Sequence, residues 1–232
     1  MCRPARDDGV RMEADASQVV ITGGAGTLAL AVAAAFSDDG TVVHAPTKGQ
    51  LDVSEPRSVE SFFHEHEPGL LVCNAGITRD ATLARLSPAD WDAVWRVNFV
   101  GALRCARAVL PSMRRRRRGH IVFISSHAAI RPFFGQSAYA TSKAALHGLV
   151  ASMAREHGAD GIRVNAVLPG FLETRMTSGI STMRRAQVLG EHALGRFNTT
   201  DAAARFLRFL HLELPHTSGQ VFQLDSRRSA LD

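Results

Sequence analysis

Residues 18–37, QVVITGGAGTLALAVAAAFS, combine three features that together decide the fold. Residues 19–22 (VVIT) are all β-branched and the first three are apolar, which predicts a short buried strand over 18–22. Glycines follow at 23, 24 and 26, and residues 28–37 are rich in alanine and leucine, which favour a helix. A glycine-rich turn between a strand and a helix lets the backbone approach a pyrophosphate, which the helix N-terminus can bind. The turn by itself is also compatible with an ordinary tight connection.

The same alternation of strand and helix continues along the chain. Strands are predicted at 41–44, 70–73, 121–125, 163–167 and 221–224, and helices at 54–66 (N-capped by Ser54), 88–113 (N-capped by Ser87), 137–157 and 201–212. Such alternation predicts an α/β fold with one doubly wound parallel sheet. Only six residues separate Ala45, near the end of the second strand, from Asp52. A parallel crossover needs a dozen or more, so we expect the sheet to be shortened after its second strand.

The composition limits the classes of function. The chain has 232 residues, a net charge of +5 and a pI near 9.8. Five arginines in one run, 114–118, account for that charge. No apolar run is long enough for a membrane span, and the three cysteines show no disulfide or metal spacing. Residues 1–17 lack the apolar core of a signal peptide. We expect a cytoplasmic, metal-free protein with an N-terminal tail at 1–17 and one domain at 18–232. The preference for arginine over lysine and the abundant alanine are typical of a GC-rich bacterial genome.

The single tyrosine of the chain stands four residues before one of its two lysines. Tyr139 and Lys143 lie in a predicted helix, where this spacing puts both side chains on one face. A phenol has a pKa of ~10, and a cation ~4 Å away at an effective dielectric of ~20 would lower it by about three units. We therefore expect Tyr139 to exchange a proton near neutral pH. A half-buried tyrosine beside a solvated lysine is the structural alternative.

The motifs around this pair, taken in order, resemble the short-chain dehydrogenase/reductase family over residues 18–225, and most closely its 3-oxoacyl-[acyl carrier protein] reductases. They are the turn from Thr22, Asp52-Val53, Asn74-Ala75-Gly76, Asn98, Ser126, Tyr139/Lys143, Pro169-Gly170 with Thr174, and Ser218-Gly219-Gln220-Val221. The resemblance implies a single-domain Rossmann-type fold and a homo-oligomer, a tetramer or dimer, joined through the helices at 88–113 and 137–157.

The resemblance also implies a role for each of four catalytic residues. Tyr139 would be the general acid in ketone reduction, and Ser126 would hydrogen-bond the substrate carbonyl. Lys143 would lower the pKa of the phenol and hold the nicotinamide ribose, and Asn98 would keep a water in the proton relay. Ser125 is the alternative serine, but the spacing to Tyr139 favours Ser126.

The cofactor residues follow from the same resemblance. Besides Tyr139 and Lys143, they are Gly23, Gly26, Thr27, Leu28, Thr47, Lys48, Asp52, Val53, Asn74, Ala75, Gly76, Pro169, Gly170, Leu172 and Thr174. Members that use NAD usually carry an acidic residue after the second strand. Residues 44–48 (HAPTK) hold none, and Thr47 and Lys48 could instead receive a 2′-phosphate. NADPH is therefore favoured over NADH, with Lys48 as a solvated loop residue the alternative.

The family pattern and this sequence differ at the glycine-rich turn. Thr27 and Ala29 stand where further glycines are usual, unless Gly26 serves in a loop one residue shorter. Cys73 replaces an asparagine before Asn74, and the closing Asp-Gly-Gly is Asp225-Ser226-Arg227. We expect catalysis to be retained and dinucleotide affinity to be altered.

The resemblance suggests the substrate and its partner. Phe134 and Gln136 could line an acyl pocket, and residues from about 175 to 190 would form a mobile lid. Arg117 occupies the position at which carrier-protein reductases dock an acidic carrier protein, whereas a second docking position holds Asp160. The arginine run could also be a solvated helix end or, less plausibly, a nucleic-acid contact. The leading hypothesis is an NADPH-dependent reductase of 3-oxoacyl thioesters in fatty acid or polyketide synthesis. The alternatives are a dehydrogenase of another small alcohol and a non-catalytic binding protein.

Overall fold

The computed structural model describes residues 18–37 and 40–227, and the predicted tail at 1–17 lies outside them. Within these residues, six strands form one sheet in the order β2-β1-β3-β4-β5-β6, and all neighbours are parallel. The predicted α/β fold is confirmed. The strands are β1 (Val19–Ile21), β2 (Val43–His44), β3 (Leu70–Cys73), β4 (Gly119–Ile124), β5 (Ile162–Leu168) and β6 (Val221–Gln223).

Helices cover both faces of the sheet. They are α1 (Thr27–Phe36), α2 (Pro56–Glu65), α3 (Pro88–Trp95), α4 (Ala102–Arg116), α5 (Ser137–His157), α6 (Thr182–Gly190) and α7 (Thr200–Leu212). Alternate strand residues enter two apolar clusters, because successive side chains point to opposite faces of a sheet. Val20 and Leu71 pack with α2, α4 and α5, and Val19 and Leu70 pack with α1 and α7.

The edge of the sheet next to β2 is short, as predicted. The chain leaves β2 and crosses the glycine-rich turn, where the amide of Gly24 donates to the Pro46 carbonyl at 2.9 Å. A Cβ on Gly24 would lie 1.9 Å from the Ala45 oxygen, so only glycine fits there.

The N-cap prediction for α2 was wrong. Glu55 occupies that position, and the hydroxyl of Ser54 donates to Asp52 instead.

The predicted helix at 88–113 is interrupted. It consists of α3, a π-helical segment at Arg96–Gly101, and α4. The predicted N-cap is confirmed, because the Ser87 hydroxyl accepts from the amide of Asp90 at 3.1 Å. Helix α6 lies in the segment predicted to be a lid, and the sequence pattern does not indicate a helix there. Within residues 18–37 and 40–227, no helix has both the length and the hydropathy that a membrane crossing requires.

Candidate active site

The carboxyl ends of β1 and β3 form a crevice at the point where the strand order reverses, which is where open α/β sheets bind their ligands. The hydroxyl of Thr22 accepts from the amides of Asn74 and Ala75, both at 3.0 Å. The side-chain amide of Asn74 returns a bond to the Thr22 carbonyl at 3.0 Å. These bonds hold the glycine-rich turn and the loop after β3 side by side. Gly23, at φ +72°, lies so close to Ala75 that a Cβ would be 3.0 Å from its Cα.

Helix α1 begins at Thr27, and Gly26 is its N-cap. Gly26 therefore serves in a loop one residue shorter than the family pattern, which was one of the two alternatives considered for this turn. Ala29 is fully buried and Leu28 nearly so, so both side chains pack into the core and Thr27 alone is exposed. No side chain caps the helix, and its first turn contains no acidic residue. An uncapped helix N-terminus offers N–H groups and a positive dipole end, which fit the pyrophosphate of a dinucleotide.

The residues predicted to receive a 2′-phosphate lie beside this turn. The Lys48 ammonium is 3.5 Å from the Asp52 carboxylate, and its side chain is 82% exposed. The Thr47 hydroxyl donates to Gln50 at 3.1 Å. Val53, the neighbour of Asp52, is buried against Gly101, where a Cβ would lie 2.7 Å from Val53 Cγ2. Both proposed phosphate contacts thus have partners within the chain, but the lysine head remains open to solvent.

Asn98 lies in the π-helical segment, fully buried. Its Oδ1 accepts from the Ile77 amide at 2.8 Å, and its Nδ2 donates to the Ile77 carbonyl at 3.0 Å and to the Ser142 hydroxyl at 3.1 Å. The side chain therefore joins the loop after β3 to helix α5. A π-helical turn inside an α-helix is frequent at functional sites, and here it contains one of the four predicted catalytic residues.

Lys143 is buried at the centre of the site. Its ammonium donates to the Ile124 carbonyl at 2.7 Å and lies 5.9 Å from the centre of the Tyr139 ring. A Cβ on Gly76 would be 3.5 Å from this ammonium and 3.4 Å from Asn98 Oδ1, so the three residues converge. Burial lowers the pKa of Lys143 to about 8, although the nearby Cys73 thiol acts in the opposite direction. The residue types around position 143 do not indicate that this lysine would be desolvated.

Tyr139 lies next to Ser126, and burial raises the pKa of Tyr139 above its ordinary value. The interaction of the phenol with Ser126 offsets part of the rise, and the charge of Asp80 adds to it. The expectation that Lys143 lowers this pKa was therefore wrong. The ammonium faces the Ile124 carbonyl and the ring, and desolvation of the phenol is the larger effect.

Ser125 points away from the phenol. Its hydroxyl lies 2.8 Å from His147 Nε2 and donates to the Lys143 carbonyl at 3.2 Å. Ser126 is the serine that faces Tyr139, and its hydroxyl also accepts from the Ala128 amide at 3.2 Å. Ser125 thus ties the end of β4 to α5.

The predicted nicotinamide segment follows β5. Gly170, at φ +91°, packs against Asp225, where a Cβ would lie 2.8 Å from the Asp225 Cβ. The carbonyl of Pro169 accepts from the Asn198 side chain at 2.7 Å, and Leu172 is buried. The Thr174 amide donates to the Thr177 hydroxyl at 2.9 Å, which gives this segment a compact turn before α6.

The two predicted substrate residues have different surroundings. Phe134 is 94% exposed and lines no enclosed pocket, so that part of the prediction is not supported. Its neighbour Phe133 instead stacks under Arg184 of α6 at 3.6 Å. Gln136 donates to Asp80 at 3.1 Å, and its Oε1 is buried without a partner in the described part of the chain. Loop exposure depends on where the lid packs, which residue types alone do not specify.

A cavity of about 460 Å³ next to Ser126 was not anticipated. It lies between the loop after β4, the end of α6 and the C-terminal segment, and its lining residues are His127, Arg131, Pro132, Phe133, Gly190, Glu191 and Arg227. The Arg227 guanidinium pairs with Asp225 at 2.6 Å. The position of Arg227 after Asp225, where glycine is usual, was the only signal in the sequence for this cluster.

Arg117 caps the C-terminus of α4 in the left-handed conformation, at φ 49°. Its guanidinium donates to the Ala159 carbonyl at 2.6 Å, and Arg114 pairs with Asp160 at 2.9 Å. Asp160, which occupies the second docking position, therefore neutralises one arginine of the run. A cleft of about 490 Å³ lies alongside, lined by Arg107, Leu110, Pro111, Arg114, Arg115, His157 and Asp160.

Comparisons with known proteins find a matching family pattern and several similar reductases. Residues 49–185 match the pattern of the short chain dehydrogenase family. The chain is 43% identical over 157 residues to the 3-oxoacyl-[acyl-carrier-protein] reductase of Thermotoga maritima, an alignment that covers 67% of this chain and 64% of that protein. It is 35% identical to the same reductase of Aquifex aeolicus, over 90% of this chain and 86% of the relative. It is 40% identical to an acetoacetyl-CoA reductase of Synechocystis sp., over 67% and 65%.

Proposed function

The chain belongs to the short chain dehydrogenase family, whose members are NAD(P)-dependent oxidoreductases acting on CH–OH and C=O groups, and we propose that it is an NADPH-dependent ketoreductase. In this proposal it reduces a 3-oxoacyl thioester, bound to a carrier protein, to the 3-hydroxyacyl product. The observation that carries the proposal is the convergence of Tyr139 with two buried groups, the Lys143 ammonium, 5.9 Å from the centre of the Tyr139 ring, and the side chain of Asn98.

The protein supplies the proton and the polar contacts of the reaction. When bound, the cofactor supplies the hydride. Because burial raises its pKa, Tyr139 keeps its proton at neutral pH, which is the state that an acid needs in order to protonate the carbonyl oxygen. Ser126 donates a hydrogen bond to the same oxygen and stabilises the charge that develops on it. The Lys143 ammonium donates to the Ile124 carbonyl, and the Asn98 side chain donates to the Ser142 hydroxyl, so both residues hold polar groups of the site in place.

The preference for NADPH is supported by charge after β2. Residues 44–51 contain no carboxylate that could bind a ribose 2′-OH. The side chain of Lys48 is exposed, and Lys48 stands two residues after Pro46, whose carbonyl accepts from the Gly24 amide of the glycine-rich turn. Lys48→Ala should lower kcat/KM with NADPH by about tenfold, since a phosphate contact is worth one to two kcal/mol. The same variant should leave kcat/KM with NADH unchanged. Equal losses with both cofactors would contradict the assignment.

A 3-oxoacyl thioester as the substrate is supported by the names of the relatives. Two of the relatives are named as reductases of carrier-bound 3-oxoacyl groups and one as a reductase of acetoacetyl-CoA, which is also a 3-oxoacyl thioester.

Carrier-protein docking is supported by the charge at the end of α4. Within the described residues, Arg114, Arg115 and Arg116 pair with two carboxylates, Glu67 and Asp160, which leaves a positive surface around Arg117. An acidic partner is attracted to such a surface. The same charge leaves the helix end compatible with plain solvation, so the docking role requires its own test.

The experiment follows NADPH oxidation with one 3-ketone offered as a free thioester and as a carrier-bound thioester. Tyr139→Phe should lose about 10²-fold or more in kcat on both substrates, because the proton donor is removed. Arg117→Gly removes the docking charge and suits the left-handed backbone, so it should fold normally. It should raise KM for the carrier-bound substrate alone. Arg205→Ala, on the opposite face of the sheet, is the control. If wild type reduces neither the free nor the carrier-bound thioester, the proposed function is refuted.

A further inference from the structure

Arg175 reaches from the segment before α6 to the glycine-rich turn, 150 residues away in sequence. Its guanidinium donates to the Ala25 carbonyl at 2.8 Å. Ala25 is exposed at the tip of the turn, immediately before the N-cap of α1. A charged side chain of the predicted lid thus lies beside the helix end that fits a pyrophosphate.

The other arginines of this segment have stronger partners. Arg185 pairs with the Glu173 carboxylate at 2.5 Å, and Arg184 stacks on Phe133. Arg175 has no carboxylate within ion-pair distance among residues 18–37 and 40–227. A single neutral carbonyl uses one of the five N–H donors of a guanidinium and leaves its charge without a counterion.

The turn itself contains no charge. Residues 22–28 (TGGAGTL) hold no basic side chain, so the turn offers a phosphate only backbone N–H groups and the helix dipole. A pyrophosphate carries two negative charges, and a guanidinium binds phosphate oxygens through paired, charge-assisted hydrogen bonds. Such a bond adds the attraction between opposite charges, which the contact with the uncharged Ala25 carbonyl lacks.

We propose that Arg175 binds the cofactor pyrophosphate from the lid side and thereby fastens the lid segment over the glycine-rich turn. This inference rests on the proposed function, because it assumes that a dinucleotide occupies the crevice. Arg175 directly follows Thr174, which the family resemblance places at the nicotinamide, so one short segment would contact both parts of the cofactor. The arginine would supply the charge that the short turn lacks.

Calorimetric titration of the unmodified and variant proteins with three ligands tests the proposal without any turnover. NADPH and ADP-ribose contain the pyrophosphate, and adenosine 2′-monophosphate does not. Arg175→Ala should weaken NADPH and ADP-ribose by about tenfold or more, and change the affinity for adenosine 2′-monophosphate by less than about twofold. Arg175→Lys should restore part of the loss, because it keeps the charge but not the paired donors. Arg185→Ala removes a charge from the same segment and is the matched control.

Two results would overturn the proposal. One is that Arg175→Ala binds NADPH and ADP-ribose as tightly as Arg185→Ala does, and the other is that it loses all three ligands equally. Failure of the proposed function has a different signature. In that case wild type binds the dinucleotide but reduces neither ketone, while the affinity ratio between the two alanine variants still reports on Arg175.

Discussion

The charge state of Lys143 can be measured directly, because the chain contains only two lysines. Carbon-13 labelling at the lysine ε-carbon gives two NMR signals, and Lys48→Arg leaves only that of Lys143. Burial lowers the pKa of Lys143 to about 8, so its signal should titrate near pH 8. A midpoint above pH 10 would refute the desolvation of this lysine.

Asn98→Asp provides the perturbation. A Cβ on Gly76 would lie 3.4 Å from Asn98 Oδ1 and 3.5 Å from the Lys143 ammonium, so these two atoms are at most about 7 Å apart. At an effective dielectric of ~20, opposite charges at ~7 Å attract by about 2.4 kcal/mol, or about 1.7 pKa units. We therefore expect the midpoint of Lys143 to rise by at least about 1.5 units.

Asn98→Ala is the control for the loss of the hydrogen bonds to Ile77 and Ser142. It removes the same contacts but adds no charge, so the midpoint of Lys143 should move by less than about half a unit. Circular dichroism verifies that both variants are folded. An equal shift in the two variants would show that packing around the lysine, rather than the charge at position 98, sets its pKa.

The glycine-rich turn and the buried His211 give two further predictions. Gly24→Ala should lower the free energy of unfolding by about 1–3 kcal/mol in urea titrations, because its Cβ would lie 1.9 Å from the Ala45 oxygen. Gly49→Ala is the control, since its Cβ would have no atom within 4 Å, and it should not lower that free energy. Equal stabilities of the two variants would contradict the crowding at Gly24. Burial lowers the pKa of His211 to about 3, so the unfolded chain takes up this proton at ~6.5 and the folded chain does not. Stability should therefore fall as pH drops from 7 to 5, and His211→Leu should remove about 2 kcal/mol of that fall; an unchanged pH dependence would refute it.

Much of the fold could be predicted because the sequence pattern is local. Strand β3 follows from the apolar run Leu70–Cys73, and the short edge follows from the number of residues available after β2. The π-helical segment could not be predicted, because one extra residue in a turn leaves the apolar pattern of residues 88–113 nearly intact. Helix α6 was missed because its polar sequence has only a weak apolar face, with Val188 alone buried.

The candidate site could be predicted as a set of residues, but not in its electrostatics. Spacing put Tyr139 and Lys143 on one face, and their helix was predicted with the right bounds. The direction of the pKa shift of Tyr139 depends on what the lysine ammonium faces, and its partner, the Ile124 carbonyl, belongs to another element. Arg175 was noted only as the start of a lid, because its contact with Ala25 spans most of the chain.

The central claim is that Tyr139 protonates a 3-ketone whose carbonyl carbon receives hydride from NADPH. The most direct measurement incubates wild type and Tyr139→Phe with a 3-oxoacyl thioester and NADPH deuterated at both C4 positions, followed by mass spectrometry of the product. Wild type should give a 3-hydroxyacyl thioester that carries one deuterium at carbon 3, and Tyr139→Phe should give almost none. If wild type forms no 3-hydroxyacyl product, or forms a product without deuterium, the result contradicts the account.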